Sequence, residues 1–267
     1  IVTPIFNRIT YVDRWFQSIS SQNYLNYEII VCDNGSTDGT YEKLYEISRD
    51  FPKLKLVKTN ERGCGFARNC AIKNSIGRYV INLDSDNVLA SKDCLNKLSE
   101  HIKKFKSRLI ISLSSDFSGK VISTKLGNSR YIKMSNFLNN LKGEYHNTFE
   151  GNWIRNNPYN LYINCKSEFP MLVNIKAFLG DDNLVSYNNY IMQNYEVASL
   201  KDRISSRDII LKAREMKLYN YYIIKNFFLK ILFSSPKFTF STIFKFIIYN
   251  VIYYINRISI FKNKKSF

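Results

Sequence analysis

Two carboxylates follow an apolar run of the sequence at a spacing that suits a bound cation. Asp84-Ser85-Asp86-Asn87 comes directly after the run Tyr79 to Leu83. Carboxylates at i and i+2 in a turn can both face one hard cation, and Mg²⁺ or Mn²⁺ held in this way commonly completes its shell with substrate phosphates. The turn therefore suits a metal-bound diphosphate. The alternative is that it is an ordinary solvated turn, which binds no ligand.

A second carboxylate, Asp33, ends an earlier apolar run that passes through a glycine turn into a helix start. Such a turn offers free N–H groups beside the carboxylate. We expect Ser36 and Asp38 to cap the helix while Asp33 stays available to a ligand. Arg68 lies in a loop that enters another helix, where it could meet either a phosphate or a core carboxylate.

Alternating apolar and amphipathic runs over residues 1–113 predict β-α-β units and an α/β fold with a mostly parallel, Rossmann-like sheet. Ligands bind at the carboxyl ends of such strands, so Asp33 and Asp84 should meet at one edge. The predicted strands are 1–3, 28–32, 54–59, 79–83 and 109–113, and the predicted helices are 11–20, 40–51, 66–75 and 92–105.

The rest of the chain is less periodic. Residues 114–170 read as long loops and short strands that could shape a second binding surface, and helical spacing returns from about Asn188. We therefore divide the chain into a first half at 1–113, a second half of the same domain at 114–220, and a basic aromatic helical tail at 221–267.

The net charge of +17 is concentrated in this tail, because nine cations and no acids follow from Lys217 onward. Polar breaks in its most apolar window predict an interfacial helix rather than a membrane span. We expect it to bind an anionic membrane surface; packing on protein or a dimer contact is the competing interpretation, and nucleic acid is disfavoured. The lipid-facing candidates are Phe227, Phe228, Leu229, Ile231, Leu232, Phe233, Phe244, Phe246, Ile247, Ile248, Ile252 and Tyr253.

The cysteine pattern indicates reduced thiols in a cytosol, because five cysteines form no CxxC pair. Only two histidines occur, and neither lies at ligand spacing from a cysteine pair, which argues against zinc. Ile1 already belongs to a strand-like run, so we expect a short initiator segment to precede it.

Four motifs in order resemble those of the family 2 glycosyltransferases of the GT-A fold. The resemblance covers roughly residues 1–113 and a shorter C-terminal segment. The motifs are Pro4-Ile5-Phe6-Asn7, Ile30 to Thr40, Glu61-Arg62-Gly63 through Ala67-Arg68-Asn69, and Leu83 to Asp86.

The resemblance implies that residues 1–113 are the nucleotide-sugar-binding half and that residues 114–220 are the acceptor-binding and catalytic-base half of the same domain. It also implies a role for each matching residue. Asp33 would hydrogen-bond the base, Arg68 would lie near base or phosphate, and Asp84 would contact ribose and metal. Asp86 would ligate the Mn²⁺ or Mg²⁺ that bridges the diphosphate. The donor-binding residues implied are Pro4, Phe6, Asn7, Asp33, Arg68, Asp84 and Ser85, with Asp84 and Asp86 on the metal.

The family also has a Glu-Asp pair before a helix, whose Asp is the catalytic base. Its best counterpart is Asp208, although Arg207 replaces the Glu and the family's frequent metal-ligand His is absent. A carboxylate that simply favours a helix N-terminus is the structural alternative for Asp208. The rivals for the base are Asp181, Asp182 and Glu196.

Together these features predict an inverting glycosyltransferase of bacterial surface polysaccharide or lipooligosaccharide synthesis. The expected donor is a nucleotide sugar, with UDP the first choice, and the expected acceptor is a glycan or a lipid-linked glycan. We expect a cytoplasmic protein at the inner face of the membrane, of undetermined oligomeric state. The alternative is an inactive GT-A-like protein that binds the membrane peripherally, which a donor hydrolysis assay would distinguish.

Overall fold

The computed structural model describes residues 1–159, 170–179, 184–196 and 209–263, which form an α/β fold. The strands are β1 (Val2–Ile5), β2 (Ile29–Asp33), β3 (Leu54–Lys58), β4 (Tyr79–Ile81), β5 (Val88–Leu89), β6 (Leu109–Ser115), β7 (Arg130–Tyr131), β8 (Tyr145–Glu150) and β9 (Val185–Asn194). The helices are α1 (Ile9–Ser20), α2 (Thr40–Asp50), α3 (Cys64–Asn74), α4 (Cys94–Phe105), α5 (Met134–Asn140), α6 (Gly151–Asn156), α7 (Pro170–Ala177), α8 (Ile209–Ser234) and α9 (Pro236–Asn263).

The first three strands are parallel, as predicted, with β2 paired to both β1 and β3. A parallel bridge from Val2 to Asn82 continues this sheet into the end of β4. The remaining strands form a mixed sheet in the order β4-β8-β6-β9-β5, with β7 on β9. The carboxyl ends of β1, β2 and β4 therefore lie at one edge.

The second half of this sheet differs from the sequence prediction. The helical spacing predicted from about Asn188 is wrong at its start, because Val185–Asn194 is a strand that pairs in parallel with β6. The weakly periodic region 114–170 also supplies β8, which pairs antiparallel with both β4 and β6. Pairing to partners distant in sequence, rather than local apolar spacing, fixes both strands.

A contiguous apolar core packs between the sheet and its helices. Helix α1 buries Val12, Trp15 and Ile19 at helical spacing, and β2 buries every residue from Ile29 to Asp33. Burial on this scale is the dominant stabilising term in a domain of this size. It fixes the strand ends that carry the polar residues of the predicted site.

The chain divides into two compact units. One comprises residues 1–133 and 140–197, and the other comprises 134–139 and 198–267. The second unit contains α8 and α9, which pack on each other, and the predicted tail boundary at residue 221 falls within α8. No helix in the described part of the chain is long and apolar enough to cross a membrane.

Candidate active site

The site is built at the edge where β1, β2 and β4 end. The Leu83 amide donates to the carbonyl of Val2 at 3.1 Å, so the turn that follows β4 begins beside β1. Asp33 is the last residue of β2 and pairs with Ile5 at the end of β1. The structure thus brings the predicted donor residues of three separate segments to one place.

Asp33 is buried and organises its own turn. Its Oδ2 accepts hydrogen bonds from the amides of Gly35 and Ser36, at 3.0 and 3.1 Å. Gly35 has a φ of 85°, a conformation that favours glycine. The carboxylate therefore already has partners, where the sequence had predicted it to be available to a ligand.

The predicted capping of α2 is wrong for Ser36 and altered for Asp38. Helix α2 begins after Gly39, whose backbone is left-handed and which has no side chain to cap the helix. Ser36 Oγ accepts from the amide of Asn7 at 3.0 Å, which joins the loops after β1 and β2. Asp38 accepts from the amides of Thr40 and Ile9, at 3.0 and 3.1 Å, and joins the same loops.

Asn7 and Asn34 fasten the loops to one another. Asn7 has a φ of 50°, and its Oδ1 accepts from the Thr37 amide at 2.8 Å. Asn34 donates to the carbonyl of Glu61 at 2.6 Å and accepts from the Gly63 amide at 2.7 Å, so it reaches the loop before α3. Sequence reasoning missed Asn34 as a site residue, although an Asn beside a glycine turn is a recognised loop signal.

The two apolar donor residues lie differently. Pro4 is buried within β1, opposite Cys32. Phe6, just beyond the strand, is 53% exposed. A ring held at the site edge in this way offers a surface on which a planar base can stack.

Arg68 meets a carboxylate, which was one of its two predicted partners. Its Nη2 lies 2.7 Å from Asp84 Oδ1, and the guanidinium carbon lies 5.7 Å from the centre of the Tyr159 ring. Arg68 is buried, whereas the side chain of Asp84 is 46% exposed. A buried cation of fixed geometry thus orients a carboxylate that still faces solvent.

Asp86 shares a tight turn with Asp84, since the Asn87 amide donates to the carbonyl of Asp84 at 3.1 Å. Burial raises the pKa of Asp86, the nearby Asp84 carboxylate raises it further, and Arg8 opposes both effects. Ser85, between the two acids, is buried. A divalent cation would relieve this repulsion and favour the ionised form of both acids.

The turn offers a cation two carboxylates, those of Asp84 and Asp86. Within the described residues, no group of three or more His, Cys, Asp or Glu side chains could hold a metal. Mg²⁺ and Mn²⁺ fit such a site because phosphate oxygens and water complete their shell. Asp84 and Asp86 are the residues that would hold it.

Both histidines are buried, His146 in β8 and His101 in α4. His146 Nδ1 lies 3.1 Å from Gln193 Oε1, and His101 Nε2 lies 2.8 Å from Ser186 Oγ. Burial lowers the pKa of each imidazole to about 4. Both rings are therefore neutral at pH 7.

The candidate bases are distributed unevenly. Asp208, Asp181 and Asp182 lie outside the described residues. Glu196 follows β9 and forms an ion pair with Arg14, which in turn donates to the Asp86 carbonyl at 2.8 Å. Of the four predicted candidates, Glu196 lies within the described residues, beside the Asp84–Asn87 turn.

The fold is of the GT-A type that the solved structures below share. The model of the glycosyl transferase family 2 matches residues 1–160, so the chain belongs to that family. The matched region contains the whole donor edge but none of the four candidate bases. The predicted family and fold class are confirmed.

Individual relatives are similar over part of their length. The chain is 34% identical over 105 residues to WfgD of Escherichia coli, a UDP-Glc:α-D-GlcNAc-diphosphoundecaprenol β-1,3-glucosyltransferase, covering 39% of this chain and 40% of WfgD. Matched segments span from 14% to 40% of the length of such curated relatives.

Solved structures share the fold at low identity. TarS 1–349 of S. aureus in complex with UDP-GlcNAc has a TM-score of 0.69 at 22% identity, with 84% of this chain and 65% of that chain covered. The mannosyltransferase PcManGT of Pyrobaculum calidifontis, in complex with GDP-Man and Mn²⁺, has a TM-score of 0.59 at 17% identity, with 94% and 72% covered.

Proposed function

We propose that the protein is an inverting glycosyltransferase that takes a sugar from a nucleoside diphosphate sugar, with UDP as the nucleotide. The observation that carries this is the Asp84–Asn87 turn, fixed by the buried Arg68 beside the ends of β1 and β2. The UDP-Glc named for WfgD and the UDP-GlcNAc bound to TarS support UDP. The Mn²⁺ in the PcManGT complex supports a divalent metal.

The reaction is a displacement at the anomeric carbon of the donor sugar. An oxygen of the acceptor hydroxyl forms a bond to that carbon as the bond to the diphosphate oxygen breaks, which inverts the configuration. A carboxylate accepts the hydroxyl proton. The cation, when bound, neutralises charge on the departing diphosphate. Asp84 and Asp86 hold it, and Arg68 keeps Asp84 in position.

We assign the proton acceptor to the acceptor side of the chain, with Asp208 as the first candidate. Asp181, Asp182 and Glu196 stay as rivals. Glu196 forms an ion pair with Arg14, so its carboxylate already has a partner, which favours Asp208 over Glu196 as the first candidate.

Nucleotide binding tests the donor site directly. Thermal unfolding of the full chain is measured with UDP, GDP, ADP and CDP, each with and without Mn²⁺. A ligand at a hundred times its dissociation constant stabilises the folded state by about 2.7 kcal/mol. We expect the largest rise in Tm with UDP and Mn²⁺ together. No rise with any nucleotide, with or without metal, would contradict the proposal.

We further propose that the α8–α9 pair binds the anionic inner face of the cytoplasmic membrane, beside a lipid-linked acceptor. Residues 217–267 contain nine Lys or Arg and no Asp or Glu. Each cation near an anionic surface contributes about 1 kcal/mol. Charge of one sign therefore favours lipid over a second, equally basic copy of this chain.

The apolar side chains of the α8–α9 pair form a buried set and an exposed set. On α8, Ile223, Phe227 and Ile231 are buried, which corrects the prediction that Phe227 and Ile231 face lipid. Leu229 and Phe233 are 65% and 85% exposed. On α9, four exposed residues recur at helical spacing, and they supply apolar area that an interfacial helix can bury. These are Phe240, Phe244, Ile247 and Val251.

Vesicle flotation tests the lipid surface. The full chain should float with vesicles containing anionic phosphatidylglycerol at low salt, and much less with neutral phosphatidylcholine. Flotation that ignores lipid charge, or none at all, would refute the assignment. A dimer in sedimentation that fails to float would instead assign the exposed face to a second copy.

A further inference from the structure

Arg14 in α1 connects the Asp84–Asn87 turn to Glu196, just after the end of β9. Its Nη2 donates to the backbone carbonyl of Asp86 at 2.8 Å and forms an ion pair with the carboxylate of Glu196. The contact to Asp86 is made to its backbone carbonyl. Arg14 therefore restrains the peptide group between Asp86 and Asn87, within the turn that carries both proposed metal ligands.

Glu196 is held by a second, independent contact. Its amide donates to Asn87 Oδ1 at 2.9 Å, and Asn87 is buried. The preceding amide, of Tyr195, donates to the carbonyl of Ser115 at 2.7 Å. Arg14, Asp86, Asn87 and Glu196 therefore form a closed ring of contacts, which the ends of two parallel strands anchor.

Two aromatic rings restrict the guanidinium. Its carbon lies 4.7 Å from the ring centre of Tyr11 and 4.7 Å from that of Phe117. Phe117 belongs to the turn after β6, which Asp116 stabilises by accepting from the amides of Ser118 and Lys120. Stacking of this kind orders a planar guanidinium and suits Arg better than Lys.

We propose that Arg14 is a positioning residue, which holds the Asp84–Asn87 turn in its metal-binding conformation through the Asp86 carbonyl and Glu196. The inference rests on the proposed metal-dependent donor site. Outer contacts that orient metal ligands typically change metal affinity by about 10 to 100-fold when they are removed. Sequence spacing gave no sign of this role, because Arg14 and Glu196 are far apart in the chain.

The test compares UDP affinity with and without Mn²⁺ by titration calorimetry. In Arg14→Met, we expect the enhancement by Mn²⁺ to fall about tenfold or more, while the affinity for UDP alone stays unchanged. Arg14→Lys should keep part of the enhancement, since it keeps the charge but loses the planar fork. Glu196→Gln should reduce the enhancement less than Arg14→Met does.

A neighbouring ion pair on the same helix provides the control. Asp13, the adjacent residue of α1, pairs with Lys43 at an exposed position, so Asp13→Asn should leave the enhancement unchanged. An unchanged enhancement in folded Arg14→Met, or an equal loss in Asp13→Asn, would overturn the inference alone. A wild-type protein with no Mn²⁺ enhancement for any nucleoside diphosphate would overturn the proposed metal site and this inference with it.

Discussion

Polar side chains have opposite surroundings in two regions: the donor edge, where β1, β2 and β4 end, and the α8–α9 pair. At the donor edge, Asn7, Asn34 and Asp38 satisfy backbone groups of neighbouring loops, so the functional carboxylates are held by the fold itself. In the helical pair, polar Thr239 and Thr242 are buried while phenylalanines are exposed. The first region is a preorganised arrangement of polar groups, whereas the second presents an apolar face that a membrane or a second protein could cover.

The largest expected effect comes from removing a proposed metal ligand at the donor edge. Asp86→Ala removes a proposed metal ligand and should lower transfer by about 10³-fold, equivalent to about 4 kcal/mol of transition-state stabilisation. Transfer is measured by release of UDP in the presence of Mn²⁺. A matched variant, Asp13→Asn, removes an exposed carboxylate of the same unit and should keep full activity. A folded Asp86→Ala protein with unchanged transfer would refute the metal site.

The next effect separates the donor edge from the acceptor side. A general base typically contributes about 10² to 10⁴-fold, so loss of the base should lower kcat by that factor and leave UDP affinity unchanged. We expect this behaviour in Asp208→Asn. Because the family match ends at residue 160, every later carboxylate is tested as its amide. The set is Glu168, Asp181, Asp182, Glu196, Asp202, Asp208 and Glu215.

The variant that lowers kcat alone identifies the base. If Asp208→Asn turns over normally and another member of the set does not, the assignment moves to that residue. If all seven keep normal turnover, proton transfer does not depend on a carboxylate of this segment.

A smaller effect sharpens the description of the helical pair. Leu229→Ser with Phe233→Ser removes two exposed apolar side chains, and we expect flotation with anionic vesicles to weaken about tenfold. Stability should change little, because both residues are exposed. Lys43→Gln is the control: it removes a cation from the other unit, and flotation should stay unchanged. Unchanged flotation of the double variant would show that the exposed apolar face does not bind lipid.

The smallest effect concerns the loop contacts. Asn34→Ala leaves the Gly63 amide and the Glu61 carbonyl without their partner, and we expect the free energy of unfolding to fall by about 0.5 to 1.5 kcal/mol. Asn226, exposed on α8, donates only to the carbonyl one turn earlier, so Asn226→Ala should cost much less. Urea unfolding measures both. Equal losses would mean that Asn34 does not fasten the loops.

The sequence by itself determined the donor half. Short apolar strands that end in Asp33 and Asp84 are local patterns, and parallel strands must place their carboxyl ends together. The α/β class, the Asp84–Asp86 turn and the elements over residues 1–113 could be predicted for this reason, except the two-residue strand β5, which pairs with the distant β9. The partner of Arg68 stayed open between a phosphate and a carboxylate until the structure placed it against Asp84.

Only the tertiary structure decided the contacts between distant segments. Strand β9 looked helical because its partners, β6 and β7, are far away in the chain and no local signal encodes the pairing. The roles of Asn34 and Arg14 likewise depend on loops that meet in space alone. The buried and exposed faces of α8 were decided in the same way, since a helix rich in apolar residues on all sides shows its inner face only when it packs.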